Sequence, residues 1–265
     1  MSCLGALISF FIYIGFLKQN LLSLWSNIPN ANEMLDLWMT AGIVTIAGIT
    51  TSFQTLGQQV EDYENRIIDD FRLTDTSVAK QNFADILFAS IVSLVMQVFT
   101  FLITILYFKL VDQITIPNNI YLKSLLFMFL GALGATMSNQ LIIMFIHSST
   151  TFSRLSAVIR TVAGFAVATY LPYGSLSIHA QTLVKWVPSS YEAVSLRSLL
   201  LNQISKGKLN GEERQHLIEY LGIHFKINGY QLNQLDNIYM LLGMIVILIV
   251  AIIIISTLID RKRIR

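Results

Sequence analysis

The segment IYMLLGMIVILIVAIIIISTLI, from Ile238 to Ile259, carries no charged side chain and is long enough to cross a lipid bilayer. A membrane-spanning helix needs about 20 mostly apolar residues, because each residue adds about 1.5 Å and the hydrocarbon core is about 30 Å thick. Five other segments are similarly apolar. The sequence therefore predicts an all-α membrane protein with six transmembrane helices, at residues 3–17, 37–56, 86–111, 122–146, 155–171 and 238–259.

The first predicted span is short for a helix that crosses a membrane. Residues 3–17 would form a helix only about 22 Å long, at about 1.5 Å per residue. Either the helix continues through Leu21, Leu22 and Trp25 while the Lys18 ammonium group reaches the membrane surface, or residues before Met1 are missing. We favour the second explanation.

The composition agrees with a membrane protein and limits what the chain can do alone. Hydrophobic residues make up 54% and charged residues 13% of the chain, whereas a soluble domain has roughly 25% charged residues. Because the apolar residues are committed to the spans, little remains for a large soluble domain, and we expect a subunit that depends on a partner. The net charge of +2 gives no support for a nucleic-acid partner.

The distribution of basic residues predicts the orientation. Lys and Arg concentrate on the cytoplasmic side of membrane helices. Four cations, Arg261, Lys262, Arg263 and Arg265, follow the last span, and with six spans this places both termini in the cytoplasm. The short loops agree, since the inner side holds eight cations, tail included, and the outer side three.

Two spans carry rows of small residues on one helix face. The rows are Ala41, Thr45, Gly48 and Ser52 in the second span, and Ala157, Thr161, Gly164 and Ala168 in the fifth. Small residues let helix backbones approach each other closely in a bilayer. We therefore expect spans two, four and five to form the packed interior and the last span to face lipid.

A few polar residues lie inside the predicted spans. The amides of Gln97, Asn139 and Gln140 can either join helices by hydrogen bonds or line a pathway, and we favour the first role. Arg160 should face a cavity or a partner, or reach the inner surface, because a charge is costly in the bilayer. No acidic residue is predicted deep within a span, which argues against a proton- or cation-driven carrier.

The predicted cytoplasmic loop 58–85 contains the densest charge in the chain. Apolar residues recur among the charged ones at spacings close to one face of a helix. Such a segment is either a solvated extension of the neighbouring helices or a docking element for a soluble partner, and periodicity does not separate the two. The candidate docking residues are Asp62, Arg66, Ile67, Ile68, Asp69, Asp70, Phe71, Arg72 and Leu73.

The predicted external segment 172–237 is too polar and too interrupted to span. Pro172 is predicted to end the fifth helix, and Pro188 breaks the moderately apolar run 177–201. We expect two short helices that re-enter the outer leaflet, with Trp186 and Tyr191 at interfacial depth. A polar helix beginning near Asn210 would form a small external cap.

Sequence motifs for chemistry are missing. The chain has no Gly-x-x-x-x-Gly-Lys-Ser/Thr phosphate loop, no His-Glu-x-x-His, no Gly-x-Ser-x-Gly, and no Cys or His cluster at metal-ligand spacing. We therefore predict no catalytic residue, no metal ligand and no cofactor bound by this chain.

Two local sequences resemble a known family. Gln58–Thr76, QQVEDYENRIIDDFRLTDT, is similar to the coupling region of type-2 permease subunits of bacterial ATP-binding-cassette (ABC) exporters. Ala163–Arg197, AGFAVATYLPYGSLSIHAQTLVKWVPSSYEAVSLR, resembles the signature of the same family, with Pro172, Pro188 and Arg197 marking its re-entrant helix pair. Together with the order of the predicted spans, the resemblance covers nearly the whole chain.

The resemblance implies a multi-subunit transporter in the bacterial plasma membrane. Two permease subunits, identical or different, would pair with two soluble ATPase subunits that bind ATP and Mg²⁺. The segment around Asp62 to Leu73 would fit a groove on the ATPase, and spans two and five would line the route across the dimer axis.

The expected function is export of an amphipathic compound such as a drug or an antimicrobial peptide. The alternatives are export of a lipid-linked cell-wall glycan by the same architecture, or a membrane scaffold or sensor that does not transport. An intramembrane enzyme lacks any candidate pair of catalytic residues.

Overall fold

The computed structural model describes residues 4–25, 30–67, 77–114, 116, 119–201, 211–227 and 229–263. Helices dominate this part of the chain. They are α1 Leu4–Ile12, α2 Lys18–Leu24, α3 Ala31–Glu64, α4 Val78–Val111, α5 Asn119–Ile143, α6 Ser149–Ala166, α7 Ile178–Lys185, α8 Pro188–Leu201, α9 Gly211–Leu221 and α10 Gln234–Arg263. The strands β1 Lys226–Ile227 and β2 Tyr230–Gln231 form a small antiparallel ribbon, which the all-α prediction did not include.

Four helices in the described residues are long and apolar enough to cross a membrane, namely α3, α4, α5 and α10. They correspond to the predicted spans two, three, four and six. This agrees with a helical membrane protein. The remaining predicted spans correspond to α6 and to the first helical segment.

The first helical segment is continuous from Leu4 to Leu24. One π-helical turn, Tyr13–Leu17, joins α1 to α2 without a break. At about 1.5 Å per residue the segment is about 30 Å long. The helix continues beyond the predicted end at residue 17, as in the explanation that we did not favour, and Lys18 lies within it.

Helix α6, which corresponds to the fifth predicted span, ends earlier than the sequence predicts. Pro172 was expected to end it, but α6 stops at Ala166, and Ala168 adopts a left-handed backbone conformation with φ of 49°. The helix also begins earlier, at Ser149, rather than at residue 155. The irregular stretch between Ala166 and Pro172 provides backbone carbonyl groups that are used by a distant side chain, described below.

Helix α3 forms the centre of the molecule. It packs against the first helical segment and against α4, α5, α6 and α8. Within its most apolar 18-residue window 94% of the residues are buried, compared with 17% in the corresponding window of α10. Packing inside this chain therefore encloses α3, whereas α10 exposes most of its Ile, Leu and Val side chains, as expected of a helix that faces lipid.

The two ends of the helix bundle differ. At one end, called here the ribbon end, lie α7, α9 and the β-ribbon, and the Trp38 indole Nε1 donates to the Leu221 carbonyl at 2.9 Å. At the opposite end, called the Glu64 end, the carboxylate of Glu64 accepts from the Ser149 backbone N–H at 2.9 Å. This bond joins the end of α3 to the start of α6.

Candidate functional site

The predicted docking segment begins on the exposed end of α3. Asp62 lies in the last turns of this helix and accepts a hydrogen bond from Gln58 Nε2 at 2.8 Å. The helix ends at Glu64, and Arg66 has a left-handed backbone with φ of 58°. The side chain of Ile67 is 43% exposed. The other candidates, Ile68, Asp69, Asp70, Phe71, Arg72 and Leu73, lie outside the described residues.

Other side chains at the Glu64 end surround a small, partly polar cavity of about 260 Å³. Gln59 and Tyr63 of α3, Asn82 of α4 and His147 of the α5–α6 connection contribute to its wall. The Tyr63 and His147 rings meet edge to face, with centroids 4.7 Å apart. The end of α3 is therefore held against the connection that leads into α6.

The small-residue face of α3 is used for packing within the chain. Ala41, Thr45, Gly48 and Ser52 are all buried. The Gly48 carbonyl accepts from Ser93 Oγ at 3.0 Å, and a Cβ atom at position 48 would lie only 1.9 Å from the side-chain amide of Gln97. Gly48 thus allows α4 to approach α3 closely. A role of this face in a transport route remains a prediction.

The corresponding row on α6 divides into two parts. Ala157 and Thr161 are exposed, so they are available to a second subunit or to a pathway. Gly164 is buried against the ring of Tyr170, and Ala168 is buried beyond the end of the helix.

Two of the amide side chains inside the predicted spans, those of Asn139 and Gln140, join helices. Asn139 Nδ2 donates to the Ile49 carbonyl at 2.9 Å and to Ser52 Oγ at 2.8 Å, which ties α5 to α3. A second network comprises Gln140, Gln59, Asn82 and Ser256, with donor–acceptor distances of 2.6 to 3.1 Å. These four residues belong to α5, α3, α4 and α10, so the geometry favours a structural role for the amides.

Two further predicted residues have different surroundings. Gln97 is fully buried, and neither atom of its amide has a hydrogen-bond partner among the described residues. Arg160 is half-buried and donates to Ser156 Oγ at 2.9 Å and to Gln54 Oε1 at 3.4 Å. The Arg160 guanidinium group is therefore hydrogen-bonded to neutral side-chain oxygens of α6 and α3.

The predicted re-entrant segment forms two short helices, α7 and α8. Pro188 occupies the first position of α8, where its missing N–H is not needed. Pro172 precedes a 3₁₀ turn at Tyr173–Ser175. Every residue of α8 is buried, and the helix packs against α3, α5 and α10.

The two aromatic residues of this segment do not share one environment. Trp186 is 76% exposed, but Tyr191 is only 1% exposed and packs edge-on against Phe225 at 5.3 Å between ring centroids. Tyr191 is buried because its helix is enclosed by three others, and its depth in a membrane stays a prediction.

Arg197 connects α8 to the end of α6. Its side chain is 1% exposed, and Nη2 donates to the Val167 and Ala168 carbonyls at 3.0 Å each and to Thr169 Oγ1 at 3.2 Å. The guanidinium carbon lies 5.0 Å from the ring centroid of Trp38 on α3. Arg197 therefore supplies donors to carbonyl groups beyond the end of α6 and ties α8 to this stretch.

A buried acidic residue was missed by the sequence analysis. Asp36 of α3 is fully buried and accepts from the Tyr13 hydroxyl at 2.7 Å. The Lys18 ammonium group lies 3.0 Å from Asp36 Oδ1 and 2.8 Å from Asp112 Oδ2. Asp36 lies in the second turn of α3, so the expectation that no acidic residue lies deep within a span stays a prediction. Asp36 and Lys18 each lie one residue outside a predicted span, so they were not counted among the polar residues inside the spans.

A second buried carboxyl group belongs to Glu192 of α8. It packs on Gly131 of α5, where a Cβ atom would lie 2.0 Å from Glu192 Oε2. Neither carboxyl oxygen has a hydrogen-bond partner among the described residues. Such a site favours the neutral form of the group.

A partly exposed ion pair between Lys226 and Glu219 lies at the ribbon end, outside the predicted spans. The hydrogen bond from Lys226 Nζ holds the pKa of Glu219 below its usual value. This pair joins β1 to α9. Burial raises the pKa of Tyr173 to about 12.

An apolar cavity with a volume of about 770 Å³ lies on the helix bundle. Its walls come from α5, α6 and α10, and the α7–α8 corner at Trp186–Ser189 closes its ribbon end. The part of the chain that the structure describes contains no group of three or more His, Cys, Asp or Glu side chains able to hold a metal ion.

No protein-family model matches the chain, and no curated protein or solved structure shows significant similarity to it.

Proposed function

We propose that this chain is the membrane-spanning permease subunit of a bacterial ABC exporter. The main support is the short helix pair α7–α8, in which α8 is fully buried against α3, α5 and α10 and is tied by Arg197 to the residues that follow α6. This arrangement of a Pro-led short helix closed by an Arg is the feature by which the sequence resembles the family. In the proposal the chain crosses the plasma membrane six times with both termini in the cytoplasm.

The geometry of α3 supports a transmitting role. At about 1.5 Å per residue this helix is about 50 Å long, which exceeds the hydrocarbon thickness of about 30 Å. It runs from the buried core to the exposed Glu64 end without interruption. A rigid helix of this kind carries a movement of its cytoplasmic end into the membrane domain.

In the proposal the energy source is a separate protein. Two soluble ATPase subunits bind ATP and Mg²⁺ and contact the Glu64 end of two permease subunits. Ile67 is the described residue most suited to that contact, because it is an exposed apolar side chain beside a dense group of charges. The exposed residues of α6, including Ala157 and Thr161, face the second permease subunit or the route, and the cargo is an amphipathic compound.

The variant Ile67→Asp tests the ATPase contact. We expect the native chain, purified with an affinity tag from membranes of its own host, to carry a protein with a Gly-x-x-x-x-Gly-Lys-Ser/Thr loop and to hydrolyse MgATP. A charge at the centre of an apolar contact should reduce the amount of that protein about tenfold or more, because desolvating an unpaired carboxylate costs over 1.4 kcal/mol.

Ile178→Asp is the matched control. Ile178 is 69% exposed and begins α7 at the ribbon end, where a carboxylate at a helix N-terminus is tolerated. This variant should retain the ATPase and its activity. Equal loss from both variants, or a purified complex without an ATP-hydrolysing protein, contradicts the proposed function.

A further inference from the structure

The apolar cavity of about 770 Å³ is a groove on the side of the helix bundle. Helices α6 and α10 form its two sides, and Ala135, Ser138 and Leu141 of α5 belong to its floor. On α10 the wall includes Met240 and Met244, and between them Gly243 faces open space, since an added Cβ atom would meet nothing within 4 Å.

The length of the groove matches one leaflet of a bilayer. Along α10 it extends from Tyr239 to Leu248, which is about 14 Å at about 1.5 Å per residue. Half of a hydrocarbon core of about 30 Å is about 15 Å. The groove therefore starts at the ribbon end of the bundle and stops near the middle of the membrane.

The volume of the groove discriminates between occupants. A helix with side chains is about 10 Å across or more, so the groove would hold less than two turns of a partner helix. An extended acyl chain is only about 4–5 Å wide, since carbon atoms in contact are about 3.5–4.0 Å apart. The space fits one or two acyl chains lying along α10.

The mouth of the groove has side chains suited to a lipid headgroup region. Trp186 is 76% exposed and Tyr239 is 68% exposed, and both contribute to the wall at the ribbon end. Trp and Tyr prefer the level of the headgroups because their rings are apolar and carry one polar group. Below them the walls are almost entirely apolar, apart from Ser138, Asn139 and Ser189.

We propose that this groove binds a membrane phospholipid of the ribbon-end leaflet, with its acyl chain between α6 and α10 and its headgroup beside Trp186 and Tyr239. The inference rests on insertion of the bundle in a bilayer and does not depend on the ABC assignment. The bound chain fills the space that separates α6 from α10 and couples the position of these helices to the leaflet.

The test uses the full chain in nanodiscs of phosphatidylglycerol that contain a trace of the same lipid with a photoreactive diazirine on its acyl chain. After illumination, labelled residues are identified by mass spectrometry. We expect Met240 and Met244 to be labelled more strongly than Ile253 and Ile254, which lie on the exposed surface of α10 away from the groove.

The variant Gly243→Phe should remove about nine tenths of the label at Met240 and Met244, because an aromatic ring in this open position takes the space of the chain. Gly15→Phe is the matched control, since Gly15 also has open space around it but does not line the groove. Thermal unfolding of both variants checks that the fold is retained.

Three results would overturn the proposal. One is equal labelling of the groove and the exposed surface of α10, which describes ordinary contact with bulk lipid. Another is undiminished labelling of Met240 and Met244 in a folded Gly243→Phe variant. The last is protection of the groove from lipid together with cross-links from Met244 to a second protein chain, which assigns the groove to a subunit contact.

Discussion

Replacing Arg197 with Met is expected to destabilise the protein by about 4 kcal/mol, more than any other single substitution of an arginine in the described residues. The change keeps the side chain long and apolar but leaves the Val167 and Ala168 carbonyls and the Thr169 hydroxyl without their donor. Each buried acceptor without a partner costs about 1–3 kcal/mol. The lost contact with the Trp38 ring adds about 1 kcal/mol, and relief from burying a charge offsets only part of the sum.

Thermal unfolding in detergent measures the effect of Arg197→Met, and we expect the midpoint to fall by about 10 °C. Arg197→Lys should not restore stability, because one ammonium group does not reproduce the planar set of donors. The control is Arg154→Met on the exposed surface of α6, which should change stability by less than about 0.5 kcal/mol. A midpoint for Arg197→Met within 2 °C of the native value, on the order of 0.5 kcal/mol, would show that α8 is held without this residue.

Replacing Lys18 with Met is expected to cost about 3–5 kcal/mol, because it leaves the Asp36 carboxylate fully buried with Tyr13 as its remaining side-chain donor. Asp36→Asn removes the same ion pair but leaves Lys18 bonded to Asp112, so its cost should be smaller. The double variant removes both charges. It should be at least as stable as Lys18→Met alone.

The measurement is a double-mutant cycle on thermal unfolding midpoints. The two substitutions should be non-additive by more than about 1.5 kcal/mol, since the groups are in direct contact. Asp112→Asn is the comparison within the same network, and its cost should be lower because this carboxylate is partly exposed. Additive effects of Lys18→Met and Asp36→Asn would mean that the two charges are screened from each other.

The sequence predicts the long apolar helices because their lengths and compositions are local properties. Helices α3, α4 and α10 each contain their predicted span, and α5 covers its predicted span except for the last three residues, 144–146. The end of α6 was mispredicted because its surroundings depend on residues that are far apart in the sequence. Pro172 is a strong local signal, but the helix ends at Ala166, and the carbonyls beyond it are bound by Arg197, which lies 29 residues after Ala168 in the chain.

Buried polar residues were the hardest part of the site to predict. The sequence of α8 mixes Ser, Glu and Arg with apolar residues and has the composition of a surface helix, yet three neighbouring helices enclose it. Glu192 and Asp36 are buried for the same tertiary reason. The amides of Asn139 and Gln140 were identified from sequence because a polar group inside a long apolar run stands out, and their bonds to Ile49, Ser52 and Gln59 then follow from the packing of α5 on α3.

Photocross-linking in intact cells of its own host tests most directly whether the Glu64 end contacts an ATPase. A photoreactive phenylalanine analogue is placed at Ile67 or, as the control, at Ile178 on the ribbon end, and cross-linked partners are identified by mass spectrometry. The account predicts that position 67, but not 178, captures a soluble protein with a Gly-x-x-x-x-Gly-Lys-Ser/Thr loop. Capture of such a protein from position 178, or of only proteins without this loop from position 67, would contradict it.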